Sequence, residues 1–286
     1  MKLGVITDGI DDDYERAVSV MSEVGAEYAE LQLLWGKEVG EHSDAEIARI
    51  REINERAGIE VSCVSRRNFI GLPVSIDPQS QEFQQHVDYF VKTMDMAAEL
   101  DAPLVRIMTL SKVNTLWGYH GFDHWMSNNN TSWSKFLRLM EIPVQMAADR
   151  GVTLCFETGT SQVITSGYLA RRLVEDLGAD NLKILWDVCN ALYVNETPFP
   201  DAYEEVREYL AHIHIKDWRA DIIRSTVDAV PIGEGDLGPF LDPIARELRA
   251  DKYEGTISLE SVYRPDGGSW EDGFRASWPA FQKIFG

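Results

Sequence analysis

Short apolar, β-branched runs alternate with longer stretches of helical period from one end of the chain to the other. Strands are expected at 3–7, 28–32, 61–65, 104–109, 153–158, 182–187, 210–216 and 256–261. The segments between them carry helix signals. Ser43 followed by Glu46 is a capping-box pattern ahead of Ile47, Ile50 and Ile53, and Gly58 stands where a left-handed C-terminal residue belongs. Phe83, Val87, Phe90, Val91, Met94 and Ala98 mark one face of a long third helix. Leu169, Leu173, Val174 and Leu177, closed by Gly178, mark the fifth. Pro143 falls inside the fourth helical stretch, which therefore kinks or starts late. Strand–helix alternation repeated eight times points to a parallel sheet. No second block of different composition, linker or exact repeat interrupts it, so the expected fold is α/β, a single closed (β/α)8 TIM barrel over residues 1–286 rather than an open doubly wound sheet.

Two connections are too long for ordinary turns: 110–131, which holds Trp117, Tyr119, His120, His124 and Trp125, and 217–236, which runs through Arg219 to the glycines of 233–238. Both follow strands, so both are expected on the face where barrel active sites are built. The aromatic residues of the first read as a lid able to stack on a sugar ring, or as a packed subunit interface. The G-E-G-D-L-G string lacks the preceding strand of a dinucleotide fold; it reads as a tight turn whose amides, at a helix N-terminus, are free to take a substrate phosphate or hydroxyl.

The seventh strand, L-A-H-I-H-I-K, puts His212, His214 and Lys216 on one face and Ala211, Ile213 and Ile215 on the other. A polar inner wall at a strand's C-terminal end suits a barrel whose outside is covered by helices. The neighbouring strands end in Glu157, Asp187 and Glu260. Three carboxylates packed together without a cation would cost several kcal/mol in repulsion and desolvation. A divalent metal held by Glu157, Asp187, His214 and Glu260 removes the conflict. Mostly hard oxygen with one nitrogen suits Mn²⁺, Mg²⁺, Co²⁺ or Zn²⁺, with Mn²⁺ the first choice. Arg106, in an otherwise apolar strand, either binds substrate or forms an ion pair inside the barrel. Lys216 reads either as an oxyanion or phosphate holder or as a rim ion pair. Arg66 and Arg67, after the third strand, reach toward the same mouth.

Composition narrows the partners. A formal net charge of −20 repels phosphate backbones, so no nucleic-acid partner is expected. With 44% hydrophobic and 26% charged residues the chain reads as soluble and globular, and no apolar run approaches the length that spans a bilayer. The first residues read as a strand rather than a signal peptide, and the cytoplasm is the expected location. Cys63, Cys155 and Cys189 form no CxxC pair and read as reduced core thiols.

The ordered motifs F-E-T, W-D-V-C-N, H-I-H-I-K-D, G-E-G-D and L-E-S resemble the xylose-isomerase-like TIM barrels, the sugar phosphate isomerase/epimerase superfamily. The resemblance covers the whole chain and implies the same four ligands, with Glu157 and Glu260 acting also as acid and base on opposite faces of the substrate. His212, one pleat deeper, is expected to be a core histidine satisfied by a buried neighbour. Asn190 stands where some relatives have a histidine, which disfavours a three-zinc endonuclease site. No carboxylate follows Glu157 closely, where some epimerases hold substrate; Gln162 and Val163 are there instead. Candidate substrate contacts are Lys216, Arg106, His120, Trp117, Arg219 and Asn190. The expected activity is metal-dependent isomerisation or epimerisation of a ketose, hydroxyketone or sugar phosphate through an enediolate. The alternative is a lyase that eliminates a β-leaving group from a keto-sugar, keto-cyclitol or oxidised glycoside. Relatives are commonly homo-dimers or homo-tetramers, which is the assembly the resemblance implies.

Overall fold

The computed structural model describes residues 1–112 and 130–286, the side chains of 130 and 131 apart. Eight strands form the barrel: β1 Lys2–Ile6, β2 Tyr28–Leu31, β3 Glu60–Ser65, β4 Leu104–Ile107, β5 Thr153–Glu157, β6 Leu182–Asp187, β7 Leu210–Ile215 and β8 Thr256–Leu259. Every neighbouring pair is parallel and β8 pairs back with β1, so the sheet closes. All eight lie within two residues of the expected boundaries.

Seven longer helices cover the outside: α1 Tyr14–Val24, α2 Asp44–Ala57, α3 Gln81–Glu99, α4 Asn130–Ala148, α5 Gly167–Leu177, α6 Gly238–Ala250 and α7 Trp270–Phe285. The capping box at Ser43 and Glu46 forms, and Gly58 and Gly178 end their helices with φ of 70° and 59°. α3 buries Ala97 rather than Ala98, together with Phe83, Phe90 and Met94. α4 runs on through Pro143. The regular alternation breaks once. Between β6 and β7 the chain makes only short helices, Val188–Leu192 and Tyr203–Val206. The intervening N-E-T-P-F-P contains two prolines, which lack the amide a continuous helix needs.

Apolar side chains fill the layer between sheet and helices: Ile213 and Ile215 of β7, Ile257 and Leu259 of β8, Phe274, Phe281 and Phe285 of α7, all fully or almost fully buried. The barrel's own interior is different. Cys63, Cys155 and Leu185 make a small apolar plug there, and the rest is polar: Glu30, Ser65, Arg106, His212, His214 and Ser258 are all buried. The three cysteines are free. The connection after β7 carries an antiparallel hairpin, Trp218–Asp221 against Thr226–Ala229. No helix among the described residues is long and apolar enough to cross a membrane.

Candidate metal centre

Glu157 and Asp187 are the last residues of β5 and β6, His214 is the penultimate residue of β7, and Glu260 is the first beyond β8. Because parallel strands present their C-terminal ends on one side, four residues distant in sequence meet there; the β6–β7 register sets Asp187 directly beside His214. One donor atom from each of the four lies within 4.8 Å of the others. His214 Nδ1 is buried, makes no hydrogen bond, and lies 3.8 Å from Glu157 Oε1 and 3.7 Å from Glu260 Oε2. Donors around one small divalent ion, with bonds of about 2.1 Å, stand about 3–4.2 Å apart. A contraction of a few tenths of an ångström closes the set, and the unsatisfied imidazole nitrogen gives it a fourth donor, so these residues fit a divalent cation.

Two protein cations already share the negative charge. Lys216 Nζ lies 2.6 Å from Asp187 Oδ2 and 2.9 Å from Glu260 Oε2. Burial pulls this ammonium's pKa down, but Asp187, Glu260 and Glu157 outweigh it and hold it charged. Arg106, also buried, donates to Glu157 Oε2 at 2.8 Å, to Gln32 Oε1 at 3.0 Å and to the Ser65 carbonyl at 2.8 Å. The ion pair inside the barrel, one of the two readings of Arg106, is formed, and its Nε makes no hydrogen bond. Burial pushes the Glu157 carboxyl up, but Arg106, followed by His214 and Lys216, prevails and brings it down to about 2. Glu157 therefore stays ionised, with Oε2 held by Arg106 and Oε1 facing His214.

Beneath this group lies a second one that spacing did not reveal. Glu30, on β2, is fully buried. His212 Nε2 lies 2.8 Å from its Oε2, His214 Nε2 lies 2.9 Å from Oε1 and 3.0 Å from Oε2, and the Ser65 hydroxyl donates to Oε1. Ser258 Oγ stands 3.0 Å from His212 Nε2. His212 is thus a core histidine with a buried neighbour, as expected: Glu30 partners its Nε2, while its Nδ1 makes no hydrogen bond. The available signal was alternation: in Y-A-E-L-Q, Glu30 shares the inward face with Tyr28 and Gln32, and a carboxylate pointing into a barrel needs a partner there.

Other candidates fall elsewhere. The Asn190 side chain donates to the Thr158 carbonyl at 3.0 Å, and its backbone N–H donates to Asp187 Oδ1 at 3.2 Å, so it braces a candidate ligand. Arg219 is exposed and donates to the Glu234 carbonyl in the glycine-rich loop. Arg66 pairs with Glu38 and Glu41 and stacks on Tyr89, and Arg67 pairs with Glu38. Gln162 Oε1 accepts from the Thr109 amide at 2.6 Å. The amides expected to be free for a phosphate are taken: Asp217 accepts from Gly233, Gly235 and Leu237 at 2.9, 2.9 and 3.0 Å. Trp117 and His120, with Tyr119, His124 and Trp125, lie outside the described residues.

A cavity of about 350 Å³ opens beside Glu260, lined also by Asp8, Gln32, Ser261 and Trp270 among others. A larger one, about 600 Å³, lies at the opposite end of the barrel around Lys2, Tyr28, Glu60 and Thr256, and none of the candidate residues reaches it. Asp8, past the end of β1, was missed by sequence reasoning. Burial raises its carboxyl to about 6, against the opposing pull of its own and the Leu33 amides and of Arg106, with Glu30 adding a little.

Three solved structures share this architecture. The probable 3-DHS dehydratase AsbF of Bacillus anthracis superposes with a TM-score of 0.75 at 16% identity, over 99% of each chain. D-psicose 3-epimerase of Clostridium cellulolyticum H10, solved with D-tagatose, gives 0.72 at 15% identity over all of this chain and 99% of that one. A xylose isomerase-like TIM barrel protein of Mycobacterium smegmatis in complex with magnesium gives 0.67 at 15% identity, over 95% of this chain and 88% of that one. At these identities the likeness is one of fold. Sequence comparison with curated proteins finds no match. The family model described as xylose isomerase-like TIM barrel matches residues 18–282, and the chain belongs to that family.

Proposed function

We propose that the protein is a divalent-metal-dependent isomerase or epimerase of a small ketose or hydroxyketone, with Mn²⁺ as the first candidate ion. The observation that carries this reading is the convergence of Glu157, Asp187, His214 and Glu260, donor atoms within 4.8 Å of one another, at the mouth of a barrel with a cavity beside Glu260. An ion held there supplies Lewis acidity, which polarises a carbonyl and stabilises the enediolate formed when the adjacent carbon loses its proton. Glu260, a quarter exposed and lining the cavity, is placed to take that proton. The protonated Glu260 then returns it to the neighbouring carbon, while Glu157, held ionised by Arg106, would serve as an anionic ligand of the ion. Asp217's hold on the glycine-loop amides removes a phosphate cradle, which favours an unphosphorylated substrate.

One asymmetry supports β-elimination as a second reading. Arg106 holds Glu157 ionised and weakly basic, whereas Glu260 lies beside Lys216 and His214 and away from Arg106's hydrogen bonds. A single carboxylate open to the cavity, with the Lys216 ammonium beside it to protonate a leaving group, is the layout a dehydratase needs.

A panel of keto-sugars with Mn²⁺ in D₂O, followed by NMR, separates the two. Deuterium entering the carbon next to the carbonyl, with no loss of water or aglycone, is the expected result; an enone product sinks the isomerase in favour of the lyase. Glu260→Gln should lower turnover by about 10²–10⁴ while leaving the circular dichroism spectrum unchanged.

A further inference from the structure

We propose that Glu30 is a positioning residue of the metal centre: its buried carboxylate takes the Nε2–H of His214 and so aims the lone pair of Nδ1 at Glu157 and Glu260. The assignment rests on the metal reading of the site given above, and it concerns a residue on the far side of the barrel interior that touches neither substrate nor ion.

The argument is one of donors and acceptors. An ionised carboxylate only accepts. Three groups converge on Glu30: the His212 and His214 Nε2 atoms at 2.8 to 3.0 Å and the Ser65 hydroxyl. Each must bring a proton. A proton on Nε2 leaves Nδ1 as the one atom of the His214 ring that can offer an electron pair to a cation, and Nδ1 is the atom that faces two of the other ligands without a hydrogen bond. Ligating histidines commonly have such a carboxylate on the opposite nitrogen, which fixes ring and tautomer together. Without it the ring is free to carry its proton on Nδ1, where it would block the ion. His212 and Ser65 hold Glu30 in turn, so the brace extends across β2, β3 and β7.

Glu30, His212 and His214 have a rival use, since their donor atoms also lie close enough to grip an ion of their own. The experiment distinguishes the two. Mn²⁺ is titrated calorimetrically into the native chain, Glu30→Gln and His212→Gln, and histidine ¹⁵N spectra are recorded on the native protein loaded with diamagnetic Mg²⁺. The expected results are one ion per chain, a 10–100-fold weaker affinity in Glu30→Gln, near-native affinity in His212→Gln, and a His214 ring protonated at Nε2 and bare at Nδ1. If Glu30→Gln does not fold, as judged by melting without metal, Glu30→Asp retracts the acceptor while keeping the charge and should show the same loss. Unchanged affinity in the Glu30 variant that folds, a proton on Nδ1 in the loaded protein, or two ions of which His212→Gln loses one, each overturns the assignment. A native chain that binds no Mn²⁺ or Mg²⁺ overturns the metal reading itself, a different and separately visible outcome.

Discussion

Asp8 shows how a single buried carboxyl links the site to pH. It is half-buried on the wall of the cavity and forms no ion pair among the described residues; the charges facing it are Arg106, which favours ionisation, and Glu30, which opposes it. Its folded value of about 6 lies above the 3.8 of an unperturbed aspartate. A raised folded pKa means stability that is complete below pH 3.8 and is lost as pH climbs through 6. Asp8→Asn removes that loss. In EDTA-treated protein the variant should exceed the native chain by about 1–3 kcal/mol at pH 8, with the gap closing between pH 6 and 4 in urea melts; a gap that ignores pH means the carboxyl is not the cause. Asp8 and Glu30 escaped sequence reading for one reason. Each looks like an ordinary polar residue near a strand, and the partners that give it meaning, His214 above all, stand some 180 positions away in the case of Glu30. The convergence of Glu157, Asp187, His214 and Glu260 was legible because each sits at a strand tip, where a parallel barrel brings its strand ends together.

At the scale of elements, the glycine-rich loop after β7 is held by one side chain. Asp217 accepts from the amides of Trp218, Gly233, Gly235 and Leu237, the last at the start of α6. Gly235 has no room for a side chain, because a Cβ would run into Asp217 and the Trp218 carbonyl. Asp217→Ala strands the buried Leu237 amide and removes the partner of three part-buried ones, and should cost about 1–3 kcal/mol in a denaturant melt; a loss below about 0.5 kcal/mol, the range of ordinary surface changes, would show that water replaces the carboxylate. Spacing alone could not reveal this arrangement. The string G-E-G-D-L-G shows amides near a helix start, which is equally the signature of an anion site, and only the direction of the Asp217 side chain decides that the anion is the protein's own. The strands were easier, since alternating β-branched runs have few other ways to fold, whereas the sixth crossover looked helical by position and is broken by Pro198 and Pro200.

For the whole molecule, a formal charge of −20 and a cluster of three carboxylates at one end of the barrel both bear on cation binding. Lys216 and Arg106 offset part of the cluster's charge, so an ion's contribution is expected as added stability rather than as a condition for folding. An ion present at about 100 times its dissociation constant adds about 2.7 kcal/mol, which for a chain of this size corresponds to a rise of about 5 °C in Tm. Monovalent salt also steadies a strongly charged chain by screening, so the comparison must be made at equal ionic strength. MnCl₂ should raise Tm where matched NaCl does not, and Glu157→Gln should abolish the difference. If native protein melts at the same temperature in both salts, Lys216 and Arg106 already satisfy these carboxylates, and the barrel mouth is a salt-bridged rim rather than a metal centre.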